Sequence, residues 1–312
     1  MPQSTRQSLP KKKRFGAANR LKSFVRLSIR KMPAQSEADW ARVEKEIDRA
    51  FYRPLEKIPK TFERLIGQHG SGVATRECWP KNHGGGRTAT ERCIRIQDGD
   101  WTLQGVFDVF LPHIAEHSVD AEGATLLLRA VIANALPCVK KLAPVSDLRA
   151  TMKIHGGRRV TAFRLAATSF HFHCLSPSPS EEDEEKAKAS AQMFEVLVEE
   201  SAHRPAEEAY ELMSKALNVL AGLICSLENH PARGAQWIAE HSMTKKCMPL
   251  IQSALEGRGG LDAHIESTSP ARKFLAPWIE AETLRKIMVE TKAVGDQNER
   301  ENEPLARLAK RL

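Results

Sequence analysis

Between Ala206 and Glu228, apolar side chains recur every three or four residues: Tyr210, Met213, Leu217, Leu220, Ile224 and Leu227. That spacing puts them on one stripe of an α-helix, whereas a strand would turn successive side chains to opposite faces. A stripe this long must be buried against other elements, so at least part of the core is built from packed helices.

The same period recurs upstream. Trp40, Val43, Ile47, Ala50 and Phe51 predict a helix running from an N-cap at Ser36, with Glu37 and Asp39 in its first turn, to about Tyr52 before Pro54. Leu55, Ile58, Phe62, Leu65 and Ile66 predict a second helix ending at Gly67. Gly67 to Gly86 is glycine-rich and reads as loop. Trp101–Ser118 and Asp120–Leu142 read as helices, the latter broken near Ala135 because Pro137 removes a donor. Glu91 to Gln97 alternates polar and apolar residues and is expected to be a short strand, followed by a turn at Asp98-Gly99. Arg158 to Cys174, rich in Val, Thr and Phe after the His155-Gly156-Gly157 turn, is the other strand candidate, with a helix there left open.

Ser176-Pro177-Ser178-Pro179-Ser180, followed by Glu181-Glu182-Asp183-Glu184-Glu185, marks a boundary. Proline resists helix, while the acidic residues suit the first turn of the next one, with Ser180 and Asp183 spaced as a capping box. Beyond it, helices are expected over Glu184–Ala202, Ala206–Glu228, Trp237–Leu255 (interrupted at Pro249) and after Ser269-Pro270, with Phe274, Trp278, Ile279, Leu284, Ile287 and Met288 facing inward. Gly295–Glu303 is polar, and Pro304–Leu312 could form a small helix through Leu305, Leu308 and Leu312. The expected fold is mainly α, in two helical lobes with a small β element, a hairpin or short strands, in the N-terminal lobe. The expected organisation is a basic flexible arm over residues 1–36, an N-terminal lobe over 37–175, an acidic Ser/Pro linker over 176–185, a C-terminal lobe over 186–294 and a tail over 295–312.

Charge is distributed unevenly. Residues 1–36 hold ten Lys or Arg and no Asp or Glu, leaving 37 basic and 39 acidic residues in the remainder, a net of −2 against +8 for the whole chain. Such an arm neutralises phosphates and releases counterions, so nucleic acid is the leading partner, RNA favoured. Its candidate contacts are Lys11, Lys12, Lys13, Arg14, Arg20, Lys22, Arg26, Arg30 and Lys31. Pro10 to Arg14 also has the composition of a nuclear import signal, which implies an import receptor and a nuclear or nucleocytoplasmic location. The Arg-rich, acid-free arm equally suits a mitochondrial presequence, and a plain solvated tail is the blandest account. Two further clusters could line a groove: Arg87, Arg92 and Arg95 beside the glycine-rich loop, with Trp79 and Trp101 as stacking platforms, and Arg158, Arg159 and Arg164 after the Gly-Gly turn. Core tryptophans and an ordinary hairpin tip are the simpler alternatives.

Other chemistry finds little support. His83-Gly84-Gly85-Gly86 imitates an esterase oxyanion loop, but no G-x-S-x-G elbow accompanies it. No phosphate-binding G-x-x-x-x-G-K-[ST] loop is present. Cys78, His83 and Cys93, His171 with His173, and His113 with His117 match no standard zinc spacing, so no metal, cofactor or catalytic residue is assigned. Six scattered cysteines without a C-x-x-C pair and no secretory h-region read as an intracellular protein with reduced thiols. The longest apolar stretch, Leu126–Leu136, is broken by Arg129 and Asn134 and falls short of the ~18 residues a membrane span needs.

Two functional classes remain. One is a nucleic-acid packaging protein that holds RNA between two helical lobes and self-associates through its C-terminal tail. Its layout resembles that of nucleoproteins of negative-strand RNA viruses, without a shared motif. The other is a non-enzymatic helical adaptor or scaffold whose arm is a nuclear or organelle targeting signal. Ser176, Ser178 and Ser180 beside the acidic run are candidate phosphorylation sites in either case, and that run would compete with nucleic acid for the arm.

Overall fold

The computed structural model describes residues 37–79, 88–95, 104–114, 124–154, 156–174, 180–228, 242–256, 258–265 and 269–309. The arm, the cap at Ser36, the Asp98-Gly99 turn, Trp101 and Ser176 to Pro179 lie outside these residues. The fold is mainly α, with one two-stranded antiparallel sheet among the described residues. Contacts gather into two compact units, one drawn from residues 1–90 and 105–114, the other from 91–104 and 115–312.

In the first unit, α1 (Glu37–Phe51) packs on α2 (Ile58–His69), which a 3-10 turn over Leu55–Lys57 introduces. Val43, Ile47 and Ala50 meet Ile58, Phe62 and Leu65 in the core that the helical stripes predict. Phe62 is its centre, edge-on to Phe51 at 5.0 Å and to Phe110 at 4.9 Å. The second helix does not stop at Gly67. A glycine inside a helix costs only about 1 kcal/mol, and the chain ends the helix at Gly70, where φ is 81°. A short α3 (Gly72–Thr75) follows, its first residue pressed against the Trp40 indole so closely that a Cβ would overlap it. The unit is completed by α5 (Gln104–Phe110), shorter than the helix expected from Trp101 to Ser118.

Ala89–Arg95 is a helix (α4), not the expected strand. The strand was expected over Glu91–Gln97, a run too short for alternation to decide, and the buried apolar residues Ala89, Cys93 and Ile94 have helical spacing.

The second unit begins with α6 (Leu126–Ile132), capped by the Thr125 hydroxyl, which accepts from the Leu128 amide. The break expected near Ala135 falls at Asn134, whose φ is 54°, and Pro137 then sits harmlessly in the first turn of α7 (Leu136–Leu142). Strands β1 (Thr151–Lys153) and β2 (Arg159–Thr161) form the hairpin. Arg158 to Cys174 is then mostly helix: α8 spans Ala162–Cys174. Its buried residues, Ala162, Phe163, Ala166, Ala167 and Phe170, repeat on a helical period, and that period outweighs a composition favouring strand.

The long helices α9 (Glu181–Ala202) and α10 (Ala206–Glu228) follow. The expected capping box is present, with the Asp183 amide donating to Ser180 Oγ and the Ser180 amide to the Asp183 carboxylate. Helices on the two sides of residues 176–185 share one core: Phe163 of α8 meets Phe194 of α9 at 5.7 Å, and Ser190 of α9 donates to Ser169 of α8 at 2.9 Å. The division of the chain into compact units therefore does not fall at the Ser/Pro stretch, where two lobes were expected to part.

Pro249 lies inside α11 (Ser242–Leu255) without interrupting it. After α12 (Gly260–His264), one helix, α13, runs from Ala271 to Ala309, where a helix, a polar tail and a second small helix were expected. Its first part is anchored by Glu282, whose carboxylate accepts from the Leu261 amide and pairs with Lys286 at 3.0 Å. Leu284, Ile287 and Met288, expected to face inward, are exposed. The buried positions Ala271, Leu275 and Glu282 fix the helix phase, and it turns those three side chains away from the packed face. No described helix is long and apolar enough to cross a membrane.

Asp183 ties the start of α9 to its neighbours. The Ser180 hydroxyl and then His173, 3.1 Å away, hold its carboxyl below the usual range. A depressed folded pKa contributes stability above the unfolded carboxyl value of about 3.9 and loses it as pH falls through the folded value. In urea titrations, Asp183→Asn should be less stable than wild type at pH 7, and the gap should narrow below about pH 5. A gap of constant size down to pH 3 would contradict this reading.

Candidate nucleic-acid interface

The hairpin builds its exposed face from strand alternation. Thr151 pairs with Thr161, Met152 with Val160 and Lys153 with Arg159. Met152 is buried, so the odd-numbered side chains Lys153 and Arg159 turn to solvent. The turn is made possible by Gly156 and Gly157, at φ 87° and 76°, values that a side chain would strain. The Gly157 amide donates to the Ile154 carbonyl, and the Ile154 amide to the Arg158 carbonyl, which closes the turn. Thr161 ends β2 and caps α8, accepting from the Arg164 amide at 3.3 Å. Strand, cap and helix thus carry Lys153, Arg158, Arg159 and Arg164 on one continuous segment, all four exposed.

Lys153 opposite Arg159 is a like-charge cross-strand pair, which disfavours the hairpin by several tenths of a kcal/mol. Among the described residues no ion pair neutralises Lys153, Arg158, Arg159 or Arg164. Arg149 differs, being held by Asp147 at 3.4 Å and exposed to the field of Glu208 and Glu211.

The wider charge pattern is the signal that local clusters understate. Residues 123–180 contain eight Lys or Arg and a single acidic residue, Asp147. The net of −2 outside the arm is therefore the sum of a +7 segment and a remainder of −9. That segment folds into α6, α7, the hairpin and α8, all within the second unit.

The other predicted contacts are distributed differently. Lys11, Lys12, Lys13, Arg14, Arg20, Lys22, Arg26, Arg30, Lys31 and Arg87 lie outside the described residues. Arg92 and Arg95 sit on α4, and Arg92 already has a partner. Trp79 is partly buried and edge-on to Phe51 at 6.0 Å, so it packs as part of the apolar core rather than standing open as a platform.

His83 and His117, two of the residues considered for metal binding, lie outside the described residues. His171 and His173 lie on a helix, two residues apart and so on different faces, and His173 is bonded to Asp183. Among the described residues no three His, Cys, Asp or Glu are placed to hold a metal ion. Burial pushes the Cys78 and Cys174 thiols up to about 12, so neither is a thiolate at neutral pH. An open groove of about 490 Å³ in the first unit, absent from the sequence reading, is lined by Glu63, Asp108, Pro112 and His113. Desolvation lowers the His113 pKa, and the two carboxylates make this groove hostile to a phosphate backbone.

No protein-family model matches the chain, and neither curated proteins nor solved structures show a significant similarity to it.

Lys153 opposite Arg159 adds no stability to the hairpin. Replacing Arg159 with Glu creates an attractive cross-strand pair, so Arg159→Glu should match or exceed wild-type stability, by up to about 1 kcal/mol, in urea unfolding. A clear loss of stability would mean that Arg159 has a structural partner, and the hairpin would lose its standing as a binding face.

Proposed function

We propose that the protein binds nucleic acid, single-stranded RNA by preference, through sequence-independent phosphate contacts, and packages it in the manner of a nucleoprotein. The observation that carries this reading is the +7 segment over residues 123–180, with the exposed Lys153, Arg158, Arg159 and Arg164 on and beside its hairpin. Lys153, Arg158, Arg159 and Arg164 present positive charge on a folded surface without an ion pair among the described residues, which suits a polyanion. The acid-free arm adds a second, sequence-level source of phosphate contacts. No catalytic step belongs to this reading.

A second reading rests on α13. Leu284, Ile287 and Met288 are 61%, 52% and 71% exposed on one helix. They suit a protein partner, as a helical adaptor or scaffold would present, and the arm would then serve as a nuclear or organelle targeting signal. The same face would serve self-association of a nucleoprotein.

Fluorescence anisotropy with single-stranded RNA across a salt series separates the two. The full chain and a chain starting at Glu37 should both bind, the shorter one with a shallower salt slope. Alanine substitution of Lys153, Arg158, Arg159 and Arg164 in the shorter chain should lower the slope by about 0.7 for each phosphate that is no longer neutralised. Failure of the Glu37 chain to bind at low salt would leave the arm as a tether or address, and the adaptor reading would replace this one.

A further inference from the structure

We propose that Phe172 is a base-stacking platform at the far end of the basic track, an inference that rests on the nucleic-acid reading above. On α8 the other two phenylalanines, Phe163 and Phe170, are completely buried, whereas Phe172 is 73% exposed. The helix phase explains both facts. Phe163 and Phe170 are seven residues apart on the inner face, while Phe172 belongs to the outer ridge of Arg164, Thr168 and Phe172, each four residues after the last and each exposed. That ridge starts where Thr161 ends the hairpin and climbs about 12 Å along the axis.

The ring is supported from the side. His173 meets Phe172 edge-on, with centroids 5.4 Å apart and planes at 83°, and His173 is itself held by Asp183 at 3.1 Å. An edge contact leaves an aromatic face available, the surface on which a nucleobase stacks. From Leu148 to Ser180 the chain has no acidic residue, so phosphates meeting Arg159 and Arg164 encounter no repulsion from this segment on the way to the ring. The acidic first turn of α9 begins next to His173 and ends the track on that side. Stacking needs an unpaired base, so the ligand is single-stranded, and its recognition is tolerant of sequence because every base has a π-face.

The experiment uses the full chain and compares wild type, Phe172→Ala and Phe172→Tyr. Each is titrated by anisotropy with a short oligouridylate and with an abasic ribose-phosphate oligomer of equal length, and each is melted to verify the fold. Phe172→Ala should bind oligouridylate about 5- to 150-fold more weakly, with an unchanged salt slope, while its affinity for the abasic oligomer stays at the wild-type value. Phe172→Tyr should restore oligouridylate binding. Equal affinity of Phe172→Ala and wild type for oligouridylate, or an equal loss on both oligomers, would overturn the stacking role while leaving the nucleic-acid reading intact. Wild type that binds neither oligomer would overturn the nucleic-acid reading itself, and this inference with it.

Discussion

The second unit depends on the burial of α9. Met193, Phe194, Leu197 and Val198 are fully buried along it, and α8, α7, α10 and α11 all pack on it. Burying side chains of this size contributes roughly 1.5–3 kcal/mol each. Polar locks set the helix position along its length. Asn134 donates to the Lys186 carbonyl and accepts from Ser190, while Glu195, almost wholly buried, is paired by Lys246 at 2.9 Å. At the C-terminal end, Arg204 donates to the carbonyls of Ala143 and Ser146. Ser190 also donates to Ser169 of α8, and Phe163 of α8 packs edge-on to Phe194; these two contacts fix α8 against α9. Because β2 runs straight into α8 through the Thr161 cap, they also fix the base of the basic hairpin.

Packing and charge therefore serve different ends on the same segment. The inner faces of α6, α7 and α8 are apolar and hold the core, whereas their outer residues and the hairpin carry nearly all the positive charge of the second unit's first half. On the proposed nucleic-acid reading, a polyanion would meet a helix and hairpin that are already folded, at little ordering cost on binding. The carboxylates of the remaining chain, net −9, would keep nucleic acid on that one surface.

Much of this could be read from residues alone, where a period was long. The Ala206–Glu228 helix matched the expected limits, and the Ser180–Asp183 capping box and the break before Pro137 formed where their chemistry requires. Short or mixed segments misled. Glu91–Gln97 alternates over too few residues to choose between strand and helix, and in Arg158–Cys174 the β-branched and aromatic composition masked a helical burial period. The exposed stripe on α13 escaped because apolar spacing gives a face but not its phase against neighbours, which Glu282 decides through its bond to Leu261. Of the candidate site, the arginines after the Gly-Gly turn were legible as a cluster. Their pairing with Lys153, the length of the acid-poor segment and the exposure of Phe172 required the hairpin register and the helix phase.

The central claim is that the folded basic surface itself, and not the arm alone, meets nucleic acid. Ultraviolet cross-linking of the full chain to single-stranded RNA, read by mass spectrometry of the linked peptides, tests it most directly. The account predicts cross-links within residues 149–172 in addition to the arm. Cross-links confined to residues 1–36, with none in the hairpin or α8, would contradict it.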